Sequence, residues 1–233
     1  MTKLLVVAAD PMEFAGILAR ASAVRPAAIP VDWSRAATLS GNELLLIANG
    51  AGAKRADQAA AAGLLAGPPP AAILSTGFCG ALSPDLDIAA IVAADRVLSG
   101  ARSFPALPPR ASQPHSTGAV VSIDHVARTA AEKRQLHAGG AIAVEMEAAA
   151  VAAQAAQAGI PFYCIRAVSD LAGEDLANDF NKALREDGHF ATMGILLGTL
   201  RDPVARLPEL FRLRRRCARA ARVLGDFIAD CRF

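Results

Sequence analysis

Short apolar runs alternate with alanine-rich stretches along most of the chain. This alternation constrains the fold more than any other feature, because strands separated by helices build an α/β domain with a largely parallel sheet. The runs are rich in Val, Leu and Ile, which is typical of buried strands. Periodicity alone predicts an open parallel sheet. The predicted strands cover residues 4–9, 44–48, 71–75, 88–93, 119–122, 141–144 and 162–168.

Length and composition are those of a globular domain. The chain has 233 residues, of which 53% are hydrophobic and 20% charged, and we predict a single domain over residues 1–233. The formal net charge is only +2, and no RNA-binding motif is present, so no nucleic-acid partner is predicted. The uncharged stretch 58–84 is broken by Pro68, Pro69 and Pro70, so no membrane span is predicted.

The four cysteines lack the spacing of a metal or redox site. Cys79, Cys164, Cys217 and Cys231 are far apart, and a free thiol inside an apolar run behaves as a small hydrophobic group. We predict that they are reduced and that the protein is cytoplasmic. The sequence has no metal-ligand cluster and no dinucleotide-binding fingerprint, so no cofactor is predicted.

The first apolar run ends at Asp10 and Pro11, followed closely by Glu13. In a structural interpretation Asp10 caps a helix, Pro11 occupies its first turn and Glu13 favours the helix N-terminus. In a functional interpretation Glu13 belongs to an active site, because open α/β sheets keep their sites at the carboxyl ends of strands. The glycine-rich segments 49–52 and 76–80 follow the next two runs, where glycine either permits a tight turn or lets the backbone approach a ligand.

Two later strands lead directly into short polar motifs. The motif residues are Glu145, Met146 and Glu147 after the first of these strands, and Ser169 and Asp170 after the second. Glu145 could be explained by an ion pair with Arg166 inside the sheet, and Ser169 or Asp170 by helix capping. Glu147 and Asp170 are better explained by a site, because both would lie with Glu13 on one carboxyl edge of the sheet.

Two segments differ in character from the rest. Segment 101–117 is rich in Pro, Ser and Arg and lacks periodicity, and we interpret it as a loop and a candidate lid. Residues 201–233 are predicted to form a basic helical extension, in which an apolar stripe is set among arginines. That helix either offers a basic surface for peripheral contact with membrane phosphates or another anionic partner, or docks on the core with its arginines in solvent.

The sequence VEMEAAAVA, followed by IRAVSD, resembles the purine nucleoside phosphorylase and 5'-methylthioadenosine/S-adenosylhomocysteine nucleosidase superfamily. The likeness extends to the first strand and to segments 50–52 and 76–82. It implies a three-layer α/β fold in which a twisted mixed sheet, partly closed like a barrel, is flanked by helices. It also implies a small-molecule nucleoside substrate and a homo-oligomer, with a dimer favoured.

The resemblance assigns roles to individual residues. Asp170 matches the acid that neutralises the base near purine N7, and Ser169 would orient it. Glu147 matches the carboxylate that accepts hydrogen bonds from the ribose 2'- and 3'-hydroxyls, and Met146 would pack under the sugar. These roles suit cleavage of an N-ribosidic bond, in which positive charge builds on the sugar and negative charge on the base. The predicted substrate site is completed by Glu145, Gly77, Phe78 and His125.

Glu13 bears on the choice of nucleophile. Many phosphorylases of the superfamily have a phosphate-holding arginine at this place, whereas a carboxylate suits a general base that activates water. Ser75 and Phe78 fall where those enzymes have a second arginine and a phosphate-binding serine. Hydrolysis is therefore favoured, and phosphorolysis with phosphate as co-substrate is the alternative. A phosphate site could be rebuilt by a neighbouring subunit's arginine or by Arg25, Arg35, Lys54 or Arg102.

Departures from the nucleosidase pattern leave the 5' specificity open. Segment 91–120 is shorter than in the methylthioadenosine nucleosidases, and the chain continues well beyond Asp170. Together with residues 132–136 ahead of the acidic motif, both features are more like the branch of phosphorylases associated with hopanoid biosynthesis. Those proteins act on an adenosyl group attached to a large lipid. A third alternative is a nucleoside-binding protein without catalysis, because a fold does not establish its chemistry.

Overall fold

A computed structural model describes residues 2–183, 188 and 203–233. A short 3-10 turn, Pro11–Phe14, follows the first strand. The strands are β1 Lys3–Ala8, β2 Ser22–Pro26, β3 Trp33–Leu39, β4 Asn42–Ala48, β5 Ala72–Ala81, β6 Ile91–Ser99, β7 Arg102–Pro105, β8 Ser116–Ser122, β9 Ala141–Glu145 and β10 Phe162–Asp170. The helices are α1 Ala15–Leu18, α2 Ala53–Leu65, α3 Ala130–Ala138, α4 Ala148–Ala158, α5 Phe180–Ala183 and the C-terminal helix Pro203–Asp230.

The strands form one mixed sheet that closes on itself at one end. Its order is β10-β6-β8-β9-β5-β1-β4-β3-β2, and an additional pairing joins β10 to β5. Strands β10, β6, β8, β9 and β5 therefore make a closed ring, from which β1, β4, β3 and β2 extend as an open sheet. Parallel pairs such as β1–β5 coexist with antiparallel pairs such as β5–β9. The mixed, partly closed sheet implied by the resemblance is confirmed, and the open parallel sheet predicted from periodicity is wrong.

Strand β5 is the branch point of the sheet. On one edge it pairs with β10 from Ile73 to Gly80. On the other edge it pairs with β1 as far as Ser75, and with β9 from Gly80. Residues 76–79 therefore face a gap between the end of β1 and the start of the β9 pairing. This gap, which we call the fork, holds the polar motifs that follow the strands.

Helices cover both faces of the sheet. In β1, Leu5 and Val7 point into a core shared with α2 and α4. Leu4 and Val6 point to the opposite face, into a core shared with α1 and the C-terminal helix. Side chains that alternate between two apolar layers explain why β1 is a continuous apolar run in the sequence. The three-layer arrangement of the prediction is confirmed.

The C-terminal helix packs closely on the domain. A Cβ atom at Gly16 of α1 would overlap the backbone of Ala221, and one at Gly225 would overlap Gly16, so glycine allows the two helices to touch. Leu224 and Phe227 are fully buried in the same core. Most of the arginines of this helix are exposed or half-buried. Contact of this basic surface with a membrane stays a prediction, and no helix in the part of the chain described is long and apolar enough to cross a bilayer.

The structure corrects several element boundaries. The exposed β2 and the alternating β3 were absent from the predicted strands, because neither is a continuous apolar run. Strand β5 continues through its glycine-rich segment, where it stays paired with β10 apart from a register shift between Val168 and Asp170, opposite Cys79 and Gly80. Strand β6 covers residues 91–99 instead of 88–93.

Segment 101–117 is not a free lid. It contains β7, which pairs with β6, and it ends in the first residues of β8. Arg110 forms a β-bridge with Arg232, and the Ser112 N–H donates to Asp230 at 2.6 Å. These contacts attach the segment to the end of the chain. None of its residues lines the cavity described below.

Candidate active site

A cavity of about 200 Å³ opens at the fork of the sheet. It is bordered by the end of β1 and the turn after it, by β5, by the loop before α3, by the junction of β9 and α4, and by the end of β10. All of the predicted site residues except Gly77 line this cavity. The lining residues of that set are Glu13, Phe78, His125, Glu145, Met146, Glu147, Ser169 and Asp170.

Glu13 connects the turn after β1 to the fork. Its Oε2 accepts hydrogen bonds from the N–H groups of Ala9 and Asp10, each at 2.9 Å, and Oε1 accepts one from the Phe78 N–H at 2.7 Å. The Asp10 side chain accepts from Met12, which completes a capping box. The carboxylate of Glu13 thus satisfies a β5 N–H that has no strand beside it. Glu13 therefore both takes part in the cap of the turn and lines the cavity.

Burial raises the pKa of Glu13. Desolvation raises its pKa, while hydrogen bonds from the Asp10 and Phe78 N–H groups and the charge of Arg166 oppose the rise. A carboxylate with a raised pKa is a better proton acceptor than an exposed one. The position therefore suits a general base.

Gly77 lies behind Glu13 in β5. Its φ is +133°, which L residues rarely adopt, and an added Cβ would overlap the Glu13 carboxylate and lie 2.9 Å from Nη1 of Arg166. The glycine therefore makes room for the carboxylate instead of contacting a ligand in the cavity.

Gly77→Ala is expected to destabilise the protein by roughly 2–4 kcal/mol, from backbone strain together with displacement of Glu13. The free energy of unfolding in urea measures this loss. Gly100→Ala is the matched control, because Gly100 also has a positive φ, +55°, but an added Cβ there meets nothing within 4 Å. Equal losses in the two variants would contradict the steric argument.

Glu145 is held in place by contacts with other groups of the protein. Its Oε2 lies 2.5 Å from Nη2 of Arg166 and accepts hydrogen bonds from the N–H groups of Glu147 and Ala148 at the start of α4. Its Oε1 accepts a hydrogen bond from Ser122. Both oxygens are thus engaged by the protein, as in the ion-pair alternative. A role for Glu145 in substrate binding stays a prediction.

Arg166 is the buried cation of the carboxylate cluster. Its side chain is fully buried, and it donates to the Thr76 carbonyl and to Ser75 Oγ, each at 2.7 Å. Burial disfavours its charged form, but Glu145 and the neighbouring acidic groups hold the pKa of Arg166 above its usual value. Arg166 therefore stays charged and balances part of the negative charge around the cavity.

Glu147 stands at the start of α4 and faces the cavity. Its Oε1 accepts a hydrogen bond from the Gly52 N–H at 2.7 Å, which links it to the glycine-rich segment after β4. Burial, and then the nearby charge of Glu145, raise the pKa of Glu147 from 4.5 to about 8. The pKa of Glu147 therefore lies much closer to neutrality than that of an exposed carboxyl group.

This raised pKa predicts a pH dependence of stability. Between the unfolded value of 4.5 and the folded value of about 8, the folded chain holds a proton that the unfolded chain loses, so the free energy of unfolding falls as pH rises. Glu147→Gln, a neutral isostere, is expected to remove a slope of up to about 1.4 kcal/mol per pH unit. Urea midpoints across that pH range measure it, with the exposed Glu43→Gln as control. Parallel profiles for wild type and Glu147→Gln would contradict the assignment.

Asp170 ends β10 at the cavity. Its Oδ1 lies 2.8 Å from Ser169 Oγ, and its Oδ2 lies 2.5 Å from Nζ of Lys133. Ser169 Oγ is also 3.2 Å from the Cys79 carbonyl oxygen. The aspartate is therefore held from both sides, and 12% of its side chain remains exposed toward the cavity.

His125 borders the cavity from the loop before α3. Its Nδ1 lies 2.7 Å from Asp124 Oδ1, and its Nε2 lies 2.5 Å from Glu132 Oε1. Hydrogen bonds to Asp124 and Glu132 raise the pKa of His125. Both ring nitrogens are thus occupied, and stacking is the contact with a base that the ring could make without losing a hydrogen bond.

Comparison with known proteins assigns the family. The family model described as the phosphorylase superfamily matches residues 3–117 and 106–193. The chain belongs to the phosphorylase superfamily. Among curated relatives of this superfamily member, the 5'-methylthioadenosine/S-adenosylhomocysteine nucleosidase of Mycobacterium bovis is 48% identical over 62 residues. That match spans 27% of this chain and only 24% of the relative.

Solved structures of similar fold cover nearly the whole chain. The S-adenosylhomocysteine nucleosidase of Streptococcus pyogenes, in complex with 5-methylthiotubericidin, has a TM-score of 0.68 and 19% identity, covering 96% of this chain and 95% of its own. The 5'-methylthioadenosine/S-adenosylhomocysteine nucleosidase of Helicobacter pylori has a TM-score of 0.71 and 17% identity, with 97% and 96% covered. At this identity the likeness establishes the fold of this superfamily member.

The cations considered for a phosphate site do not reach the cavity. Arg25 lines a separate cavity beside β2, and Lys54 is exposed at the start of α2. The Arg35 guanidinium lies 5.1 Å from the Trp33 ring centre, and that of Arg102 lies over the Phe104 ring. Ser75 is buried and contacts Arg166. Within the described ranges no lysine or arginine lines the cavity.

Two buried cations of this phosphorylase-superfamily member lay outside the predicted site. The sequence predicts Arg166 only as a partner of Glu145, and Lys133 is absent from the predicted site residues. Lys133 stands in the polar sequence Glu132-Lys133-Arg134-Gln135, which is typical of an exposed helix face. Sequence alone therefore gave no sign of its burial. The described ranges contain no group of three or more His, Cys, Asp or Glu that could hold a metal ion, and the absence of a cofactor stays a prediction.

Proposed function

We propose that this protein cleaves the N-glycosidic bond of an adenine nucleoside bearing a 5' substituent, with water as the nucleophile. One observation carries the proposal. The carboxylates of Glu13, Glu147 and Asp170 meet on a single small cavity whose described lining has no lysine or arginine. A pocket of this kind repels phosphate but can activate water and receive a sugar that becomes cationic.

Each carboxylate has a role that its surroundings support. Asp170 donates a proton to the base near N7, so that the electron pair of the broken bond does not remain on the base as negative charge. Glu147 accepts hydrogen bonds from the ribose hydroxyls, and Met146 lies beside it as the sugar floor. Glu13, with its pKa raised by burial, accepts the proton of the attacking water.

The names of similar proteins support the substrate class. The relative from Mycobacterium bovis is called a 5'-methylthioadenosine/S-adenosylhomocysteine nucleosidase. The Streptococcus pyogenes nucleosidase was crystallised with 5-methylthiotubericidin. For this chain, an adenine base and a 5' substituent are therefore the proposed recognition elements. A homo-oligomer and a cytoplasmic location are part of the same proposal.

The proposal is tested by nucleoside cleavage with and without phosphate. The phosphate-free protein is incubated with 5'-methylthioadenosine, S-adenosylhomocysteine, adenosine and inosine, and free base and sugar are followed. We expect adenine and free 5-substituted ribose from the first two substrates without added phosphate. Base release that requires phosphate would replace water by phosphate as nucleophile. Thermal stabilisation by a nucleoside without product would favour the non-catalytic alternative.

A further inference from the structure

Lys133 reaches Asp170 from behind the cavity. Its side chain has no exposed surface, although its neighbour Arg134 on α3 is exposed. Its Nζ lies 2.5 Å from Asp170 Oδ2, 2.7 Å from the carbonyl oxygen of Leu171 and 3.5 Å from that of Glu174. Lys133 does not line the cavity, so it can act on a substrate only through Asp170.

Stability alone does not explain this ion pair. Taking an ammonium and a carboxylate out of water costs several kcal/mol each, and an apolar pair of similar volume often gives equal or greater stability. Lys133 nevertheless places its ammonium against the one carboxylate that faces the leaving base in the proposed function. The arrangement therefore suggests a chemical task.

Arg216 and the two nearby cysteines are poor proton donors to Asp170. Arg216 forms a bidentate pair with Glu174 at 2.6 and 2.9 Å, which keeps its guanidinium charged. Burial raises the pKa of the Cys79 thiol well above its usual value and that of Cys217 to about 12. In the chain as described, the Lys133 ammonium is the only cation that contacts the carboxylate.

We propose that Lys133 is a positioning residue that supplies the proton Asp170 delivers to the leaving base. The inference rests on the proposed function. As the C–N bond breaks, its electron pair moves to the base. One N–H bond of Lys133 breaks and the proton passes to the Asp170 carboxylate, then from that carboxyl to N7, where a new N–H bond forms.

The charges balance over the cycle. The base leaves neutral, Lys133 becomes a neutral amine and Asp170 returns to its carboxylate form. The water that attacks the sugar cation gives its proton to Glu13. Glu13 releases that proton to solvent, and the buried Lys133 regains a proton through Asp170, which restores the starting state.

Two substitutions separate proton supply from charge balance. If Lys133 only balanced charge, Lys133→Met would favour the protonated form of Asp170 and turnover would be kept or raised. We expect instead that kcat falls by roughly 10²-fold with little change in KM. Lys133→Arg keeps the positive charge but holds its protons too tightly, so it is expected to lose similar activity. Arg134→Met, on the exposed face of the same helix, is the matched control and should behave as wild type.

Changing the leaving base separates proton supply from a purely structural role of Lys133. A structural defect would lower kcat equally for every leaving base. A 6-chloropurine nucleoside with the same sugar depends less on protonation, because its base leaves more readily as an anion. The kcat loss in both variants should therefore be smaller for 6-chloropurine than for adenine. Thermal unfolding reports whether each variant is folded, and Lys133→Arg decides the question if Lys133→Met is not.

Three outcomes would overturn the inference. They are retained turnover in Lys133→Met, rescue of turnover by Lys133→Arg, and equal losses on the two leaving groups. If the wild-type protein cleaves neither the adenine nor the 6-chloropurine nucleoside, with or without phosphate, the proposed function itself is contradicted. That result is distinct from failure of the Lys133 inference, which appears only as a difference between wild type and variants.

Discussion

Asp170→Asn is expected to lower turnover of adenine nucleosides by roughly 10²-fold or more. The amide has nearly the same shape as the carboxyl group but cannot pass a proton to N7. Ser169 and Lys133 would still hold the side chain at the end of β10, so substrate affinity should change much less than kcat. Steady-state kinetics with 5'-methylthioadenosine measure both quantities, and near-normal turnover would remove Asp170 from the mechanism.

The structure supplies the control that this variant needs. Asparagine leaves the fully buried ammonium of Lys133 without its counterion, which is expected to cost about 3–5 kcal/mol of stability. The double variant Asp170→Asn/Lys133→Met removes both charges and should regain most of that stability without regaining activity. Recovery of turnover together with stability would show that the single variant failed through unfolding.

Glu13→Gln is expected to lower hydrolysis by about 10²- to 10⁴-fold, because the amide cannot accept the proton of water. Substrate binding should be largely kept, since Glu147 and Asp170 are unchanged. Cleavage without phosphate and ligand-dependent thermal stabilisation measure the two effects separately. Normal hydrolysis by this variant would exclude Glu13 as the base.

Glu13 also stabilises the turn after β1, and its variant needs a matched comparison. The carboxylate accepts three backbone hydrogen bonds through two oxygens, whereas glutamine has one acceptor oxygen. A loss of roughly 1–3 kcal/mol in stability is therefore expected. Asp10→Ala removes the other cap of the same turn, does not alter the cavity lining, and should lose about 1 kcal/mol while keeping turnover. Equal losses of activity in both variants would assign Glu13 to the turn alone.

Local pattern was enough to predict which strand ends bring carboxylates together. Apolar runs that end in Glu13, in Glu147 and in Ser169-Asp170 predicted that these residues share the carboxyl edge of a sheet, and the structure brings them to one cavity. The capping role of Asp10 could also be predicted, because a cap depends on residues a few positions away. The three-layer mixed fold came from the resemblance of the acidic motifs, and periodicity alone predicted the wrong sheet.

The sequence by itself determined which strand ends carry carboxylates, because strand pattern and turn chemistry are local properties. Only the tertiary structure decided what those carboxylates face. The pairing of β10 with both β5 and β6 closes the ring and leaves the fork open. The Glu13 carboxylate lies in this fork and accepts a hydrogen bond from the Phe78 N–H. The burial of Lys133 against Asp170 depends on how α3 packs, and the polar residues beside Lys133 in the sequence do not indicate it. Long-range pairing sets the depth and charge of the site, which local sequence cannot encode.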